Sequence, residues 1–466
     1  MLGCAKSNIL ETATPALPGN CKMRILFLSQ YFPPETEIGG IRILEIGRRL
    51  IASGHRVDVL TGLPNYPSGK LDPVYRKKAW KLAWQENRDG IQVLRVAMFP
   101  SHSKKTLPRL ANYFSFLFAS AARAIFAAKP DVIVCTSPPL TIGLSAWFAA
   151  KRFKIPFVLE ARDLWPEAAI ALGYLQNPRI QKSAFALERF LYEKARHIVV
   201  VSQGMKTDLV ARGMAPAKCS VIPNGVDTEL FKPEARSDYI ENLKQSGFRV
   251  GTYLGTLSVY HGVDHALTLL EKLRSHADIR IVFAAGGSAV HELQTAVAQR
   301  GLNNAFFLRA PSRREMPGLI ASSDFCLALV KPGPFSRWLL SSKIFMYMAC
   351  GRPIFALAMG ETARVIAEAH CGVVEEPAEL GIDRLAASIA ELAGGPVAQS
   401  MGHAGRRYAA QSCGWNSLSE SYQLLLQNFT ANARSASLPS QEQMAPAGAA
   451  ATRINPLIKE SHADSN

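Results

Sequence analysis

Residues 331–361 read KPGPFSRWLLSSKIFMYMACGRPIFALAMGE, and the way this stretch folds decides how the rest of the chain is arranged. Ser341 and Ser342 are good helix N-caps, and Gly351 followed by Pro353 is a good stop. The spacing predicts a short helix over 343–350 that is apolar on almost every face and therefore buried. A short buried strand follows over 354–358. Lys343 is the odd residue, because a cation in the first helical turn opposes the helix dipole. It is expected there if an anion is held jointly by the lysine and the free N–H groups of that turn. Arg337, upstream, supplies a second cation. The alternative is a Lys343 that extends along its aliphatic stem to solvent.

The chain of 466 residues has room for roughly two or three such domains. Its 48% hydrophobic and 19% charged residues fit a globular protein with large cores. The net charge of +16 favours an anionic partner: nucleic acid, a membrane surface or a phosphorylated substrate. The excess is concentrated in residues 41–112, where 14 Lys or Arg face 5 Asp or Glu, a balance of +9. The 8 cysteines show neither a C-x-x-C pair nor zinc-ligand spacing, and read as reduced thiols of a cytoplasmic protein. Residues 1–22 contain Glu11, Pro15, Pro18 and Asn20 and no apolar core of secretory length. They are expected to be a disordered extension or an over-long start.

Before the opening stretch the pattern is strand, loop, helix, strand. Residues 24–29 are a continuous apolar run, as in a buried parallel strand. QYFPPETEIGG (30–40) follows, then an amphipathic helix over 41–53 and a strand over 57–61. Gly39 and Gly40 let the backbone approach a ligand closely at a helix N-terminus, where an anion is welcome; a plain tight turn is the alternative. Strands over 91–96, 131–135, 157–160 and 197–202 alternate with helices over 108–128, 141–153 and 180–195, which predicts a doubly wound parallel sheet. At its strand ends lie loops 31–40, 137–140 and 160–167. The last, EARDLWPE, gathers Glu160, Arg162, Asp163 and Glu167 around Trp165 and Pro166. Its carboxylates suit sugar hydroxyls or a proton transfer, or else Arg162 and Asp163 form a structural pair. The helix at 107–128 is too short and too charged for a confident membrane span. It is expected to pack on the sheet; the alternative is a face on anionic lipid flanked by Lys104, Lys105 and Arg109.

Residues 232–248 are polar and contain Pro and Lys, as in a linker. A second strand series then begins with RVGTYLG at 249–255, followed by a helix over 262–275, strands over 279–285, 306–308 and 325–329, and the opening stretch. Domains are expected at 23–231 and 249–412, with a closing helix at 413–430 and an Ala-, Ser- and Pro-rich disordered tail at 431–466. Two doubly wound domains with a cleft suit an enzyme that holds a nucleotide in one lobe and an acceptor in the other. The chain has no D-x-D and no G-x-x-x-x-G-K-[ST], so diphosphate charge falls to Arg337, Lys343 and backbone amides.

With QYFPPE-x3-GG (30–40), GHRVDVLTGLPNYPSG (54–69), RDLWPE (162–167), VSQGM (201–205), VIPNGVD (221–227), YLGTLSVYHGVD (253–264) and SSKIFMYMACGRPI (341–354), the chain resembles the family-4 retaining glycosyltransferases of the GT-B fold. Within that family it is similar to the branch that builds bacterial surface polysaccharides, such as L-fucosamine transferases and colanic acid transferases. The resemblance covers about 23–426. It implies a nucleotide-sugar donor in the C-terminal lobe, an acceptor on the N-terminal lobe, retention of configuration and no essential metal or other cofactor. It places Gly39 and Gly40 opposite the donor phosphates and Lys343 on the diphosphate, with Ser342 beside it and Arg337 as a further cation. Gly255 and Thr256 fall at a strand end facing the donor, Glu361 and Thr362 in the loop after the donor motif, and Arg162 and Asp163 at the reacting centre. Trp338 and Met346 stand where many relatives carry glutamates, Thr256 and His261 where many carry Arg and Lys, and Arg162 where many carry His.

The expected function is transfer of a hexose or N-acetylhexosamine, from a UDP-activated rather than a GDP-activated donor, to a polyprenyl-diphosphate-linked or oligosaccharide acceptor. The expected place is the inner face of the cytoplasmic membrane. A scaffold subunit without activity and a sugar-nucleotide epimerase are the alternatives. Nucleic acid is not an expected partner, because the basic residues are not interleaved with aromatics in a recognisable module.

Overall fold

The computed structural model describes residues 22–435, apart from 36, 78–82, 102, 104–105, 172, 258–261 and 288. The expectations for residues 1–21 and 436–466, and for His261, Lys104 and Lys105, lie outside the described residues.

Two parallel sheets carry the molecule. The first is built from β1 (Arg24–Leu28), β2 (Arg56–Gly62), β3 (Ala83–Arg88), β4 (Ile91–Val96), β5 (Val132–Ser137), β6 (Phe157–Ala161), β7 (His197–Val200) and β8 (Cys219–Val221). Its order is β3-β4-β2-β1-β5-β6-β7-β8, with only β3 antiparallel. The second contains β9 (Arg249–Thr256), β10 (Ile279–Gly286), β11 (Ala305–Leu308), β12 (Phe325–Leu329), β13 (Ile354–Leu357) and β14 (Gly372–Glu375), ordered β11-β10-β9-β12-β13-β14. Strands β1, β5, β6 and β12 are buried on both faces, which is why they read as apolar runs, broken in β5 and β6 only toward their C-terminal ends by the buried Thr136, Ser137 and Glu160. β3 reads AWQENR with alternating burial, the mark of a strand covered on one side only.

In each sheet the order reverses once, between β1 and β5 and between β9 and β12, and a crevice opens there at the C-terminal strand ends. In the second sheet the crevice is visible in the register. β9 pairs with β10 over its whole length but with β12 only at Gly251 and Thr252. Beyond that point the Leu254 amide donates instead to the Tyr347 hydroxyl at 2.9 Å. Tyr347 belongs to the helix Ser342–Ala349, which is thereby pinned over the gap.

The residues 232–248 are more than a linker. Asp238–Gln245 form a helix, and Ile240 packs with Val250 and Leu319 of the second domain. The last helix, Trp415–Ser435, returns to the first domain. Its Trp415, Leu418, Tyr422 and Leu426 share a core with Phe27, Ile43, Ile46 and Val158. Another core runs through the interface: Leu164 and Met205 from the first domain cluster with Phe335, Trp338 and Ile344 from the second.

The helix Thr106–Ile125 buries Phe116, Leu117 and Ala124 against its own domain and leaves Leu107 78% and Phe118 69% exposed. Among the described residues no helix is long and apolar enough to cross a membrane. Arg109 does not flank the exposed face as a free cation, since it hydrogen-bonds the Tyr174 carbonyl and lies over that ring.

Candidate functional site

The second-domain crevice holds Lys343. The lysine is in the first turn of the helix Ser342–Ala349 and is buried. Ser341 has the N-cap position but makes no capping side-chain bond, so the amides of that turn have no side-chain partner. The Lys343 Nζ donates to the Tyr253 hydroxyl at 2.9 Å and lies 4.1 Å from the centre of that ring. Tyr253 in turn donates to the Thr256 carbonyl at 3.0 Å. Gly255 takes φ +111, a conformation L side chains rarely adopt, and a Cβ there would lie in ordinary contact with Lys343 Cε at 3.6 Å. Among the described residues no carboxylate comes within ion-pair distance of Lys343, and burial pushes its ammonium down to about 7. A buried cation with one neutral partner and two spare donors is prepared for an anion.

The first-domain crevice holds the glycine loop. Glu37 caps the helix Ile38–Ala52, accepting the Gly40 N–H at 3.1 Å through Oε2. Its Oε1 accepts from Arg162 Nη1 at 2.6 Å. The glycines are required by close approach, for a Cβ on Gly39 would run into the Arg162 guanidinium and one on Gly40 would meet Phe32 Cα at 2.9 Å. In this arrangement the anion at the helix N-terminus is the chain's own Glu37 carboxylate. Glu35 ties the same loop down by accepting the amides of Asn65 and Tyr66, each at 2.8 Å.

Beneath the loop lies a buried network. Glu160 Oε2 accepts from Arg42 Nε at 2.8 Å and from the Tyr422 hydroxyl at 2.9 Å, and Oε1 accepts from Thr136 at 3.1 Å. Arg162 Nε donates to that threonine hydroxyl at 3.0 Å. Burial alone would raise the Glu160 carboxyl, but the charge and hydrogen bond of Arg42, then Arg162 and Tyr422, hold it below its ordinary value. Arg42 also donates to the carbonyls of Ile222 and Pro223.

Asp163 turns the other way, into a cavity of about 360 Å³ between the lobes. Tyr31, Tyr113, Trp165 and Tyr174 of the first lobe line it, opposite Phe335 and Trp338 of the second. Burial, opposed by Arg162 and reinforced by Glu37, pushes the Asp163 carboxyl up to about 6. Aromatic faces with one carboxylate at the wall are apt for a sugar, whose C–H face packs on rings while its hydroxyls seek acceptors.

The remaining expected residues stand at the hinge between lobes. Glu361 accepts the Gln203 and Gly204 amides at 2.9 and 3.0 Å, closing the N-terminus of the first-domain helix Gln203–Ala211. Ser202 donates to the Trp338 carbonyl at 2.9 Å. Thr362 donates to the Leu339 carbonyl at 2.8 Å, steadying the segment that carries Trp338. Arg337 is largely exposed and lies 3.6 Å from Asp208 of the first lobe. The structure thus brings Gly255, Thr256, Ser342 and Lys343 together in one crevice, and Gly39, Gly40, Arg162 and Asp163 in the other. Arg337, Glu361 and Thr362 serve the contact between lobes. Sequence reasoning missed Glu37, Arg42, Tyr253 and Tyr422. Glutamate is not a favoured N-cap, and the others act through partners far away in the chain.

Two family models match the chain in succession: a glycosyl transferase 4-like domain over residues 39–225 and glycosyl transferases group 1 over residues 236–408. WcaI of Escherichia coli (strain K12), named as a candidate colanic acid biosynthesis glycosyl transferase, is 25% identical over 71% of this chain and 82% of its own. An MMP alpha-(1->4)-mannosyltransferase of Mycolicibacterium hassiacum is 25% identical over 85% of this chain and 96% of its own. Among solved structures, the sucrose-phosphate synthase of Thermosynechococcus elongatus superposes with a TM-score of 0.68 at 16% identity, covering 88% of this chain and 100% of its own. Anabaena HepE in complex with UDP-glucose does so with a TM-score of 0.61 at 18% identity, covering 87% and 100%.

Proposed function

The chain belongs to the family-4 glycosyltransferases of the GT-B fold and is a hexosyltransferase, and from that premise we propose that it is a retaining enzyme of bacterial surface-polysaccharide synthesis. It moves a hexose or N-acetylhexosamine from a UDP-sugar to a polyprenyl-diphosphate-linked oligosaccharide at the membrane face. The observation that carries the donor side is Lys343, a buried ammonium without a carboxylate partner at the β9/β12 crevice. Its charge, with the uncapped amides behind Ser342, stabilises the leaving diphosphate as negative charge develops on it. The acceptor sugar occupies the aromatic cavity, where Asp163 accepts a hydrogen bond from its hydroxyl. That hydroxyl attacks from the face the diphosphate leaves, so configuration is retained. Diphosphate charge is met by Lys343 and amides, and the reaction needs no metal. The exposed Leu107 and Phe118 on the helix Thr106–Ile125 support contact with a bilayer, beside the cavity wall at Arg109 and Tyr113.

The test is thermal unfolding with UDP, GDP, ADP and their sugar conjugates, with and without EDTA. A nucleotide at about one hundred times its Kd adds about 2.7 kcal/mol of stability. A shift with UDP compounds that survives EDTA and is lost in Lys343→Ala is expected. In a transfer assay with a lipid-linked acceptor the same variant loses about 10²-fold in kcat. Absence of any nucleotide shift would favour a scaffold subunit, the reading to which Trp338 and Met346 point.

A further inference from the structure

On the first domain, at the end of the sheet opposite the cleft, lies a groove of about 720 Å³. It is formed where β6, β7 and β8 begin, with walls from the ends of the helices Ile142–Phe153 and Pro178–Lys194 and from the last helix. Lys151, Lys194, Arg196 and Lys218 line it, against Glu193 as its carboxylate. Glu193 is paired outward with Arg189 at 2.9 Å. Among the described residues none of the four cations has a carboxylate within ion-pair distance. Lys151 and Lys194 sit in last helical turns, where the helix dipole welcomes a cation. That account does not reach Arg196, which precedes a strand; Lys218 ends the short 3-10 turn Pro216–Lys218 and gives one of its three donors to the Glu193 carbonyl at 2.8 Å. The local field is positive nonetheless: besides burial, Lys206, Lys218 and Arg196 all press the His197 imidazole down, to about 4.

The groove is also aromatic. Lys151 lies 5.5 Å from the Trp147 ring centre, and Arg196 5.9 Å from that of Phe429. The His197 ring is 5.0 Å from Phe429, and its Nε2 is 2.8 Å from Ser220 Oγ. Four cations against one carboxylate that is itself paired with Arg189 leave an excess of like charge, and such a set is relieved by a bound anion. Rings beside the cations suit a ligand with a flat or apolar part.

We propose that this groove is a second ligand site, which binds a phosphate ester through Arg196, Lys218 and Lys151 and packs the ester's apolar part on Trp147 and Phe429. The site is separate from the donor crevice, because it lies at the opposite strand ends. The same chemistry is offered by a soluble aryl or nucleoside phosphate and by the headgroup of an anionic lipid.

The experiment follows the His197 imidazole resonance, assigned with His197→Gln, while the full-length protein is titrated with phenyl phosphate. A saturable shift is expected in the wild type and equally in Lys343→Ala. In the doubly substituted Arg196→Gln, Lys218→Gln protein, shown folded by its unfolding transition, the apparent affinity falls by about tenfold or more, the scale of one lost charge-assisted hydrogen bond. No saturable shift, a shift that persists in the double variant, or one that vanishes in Lys343→Ala overturns the proposal. Vesicles of phosphatidylglycerol and phosphatidylcholine in equal parts then identify the source. Displacement of phenyl phosphate by them assigns a lipid headgroup to the site, and its absence assigns a soluble ester.

Discussion

Lys343 carries a titration that can be read without any assay of transfer. Its ordinary value of 10.5 is lowered to about 7 in the folded protein by burial. Between those values the unfolded chain binds the proton and the folded one does not, so this residue makes stability rise with pH across the window. Below about 7 both states are charged and the buried ammonium weighs fully against folding. Lys343→Met should therefore be more stable than wild type at pH 6, with an advantage that shrinks toward pH 10. Denaturant titrations along a pH series measure this; a constant difference would show that the ammonium is not buried alone. Calorimetry of UDP binding at pH 8, in buffers of different ionisation enthalpy, should show a proton taken up as Lys343 recharges against the diphosphate. Asp163 runs in the opposite sense. Its carboxyl, raised to about 6 mainly by burial, loses its charge as pH falls through that value. The acceptor-dependent rate should fall there, and Asp163→Asn should lack that limb while nucleotide binding stays intact.

At the scale of elements, the stretch of the helix Ser342–Ala349 was legible because local rules agree on it. Serines open it, glycine and proline close it, and apolar residues cover its faces. Sequence reasoning left β14 and the helices Glu379–Leu392 and Pro396–Tyr408 unassigned, although both helices alternate buried and exposed faces. Nor did it reveal that the helix Trp415–Ser435 belongs to the first domain, since Tyr422 finds Glu160 across most of the chain. That bond makes the last helix part of the buried network beneath the glycine loop. Tyr422→Phe removes a buried hydrogen bond to a charged group and should cost about 1.5–3 kcal/mol in chemical denaturation. Arg42→Met should cost more, about 3–5 kcal/mol, since it leaves the Glu160 carboxylate buried and unpaired. Equal losses would mean that Glu160 is not held by its ion pair.

Across the whole molecule, the lobes meet through a few polar contacts around an apolar patch. Glu361 is the centre of them, buried and bonded to two amides of the other lobe and to Arg364 at 2.9 Å. Glu361→Ala should loosen the contact and raise the radius of gyration in small-angle scattering. A saturating UDP-sugar that bridges the crevices should restore it in part. An unchanged scattering curve would show that the apolar patch of Phe335, Trp338, Leu164 and Met205 holds the lobes together alone.

Sequence alone determined the two doubly wound domains, the buried Lys343 helix and the glycine loop, because each rests on residues adjacent in the chain. A turn, a cap or an apolar period is a local interaction, and it writes itself into spacing. Tertiary structure alone decided what those residues face. It placed Glu37 on the helix end that an anion would otherwise take, Trp338 in the wall of the aromatic cavity, and Glu361 across the lobes. It also gathered Lys151, Arg196 and Lys218 into one groove. Coulomb forces and burial act through space, so residues far apart in the sequence share a field that no local pattern records.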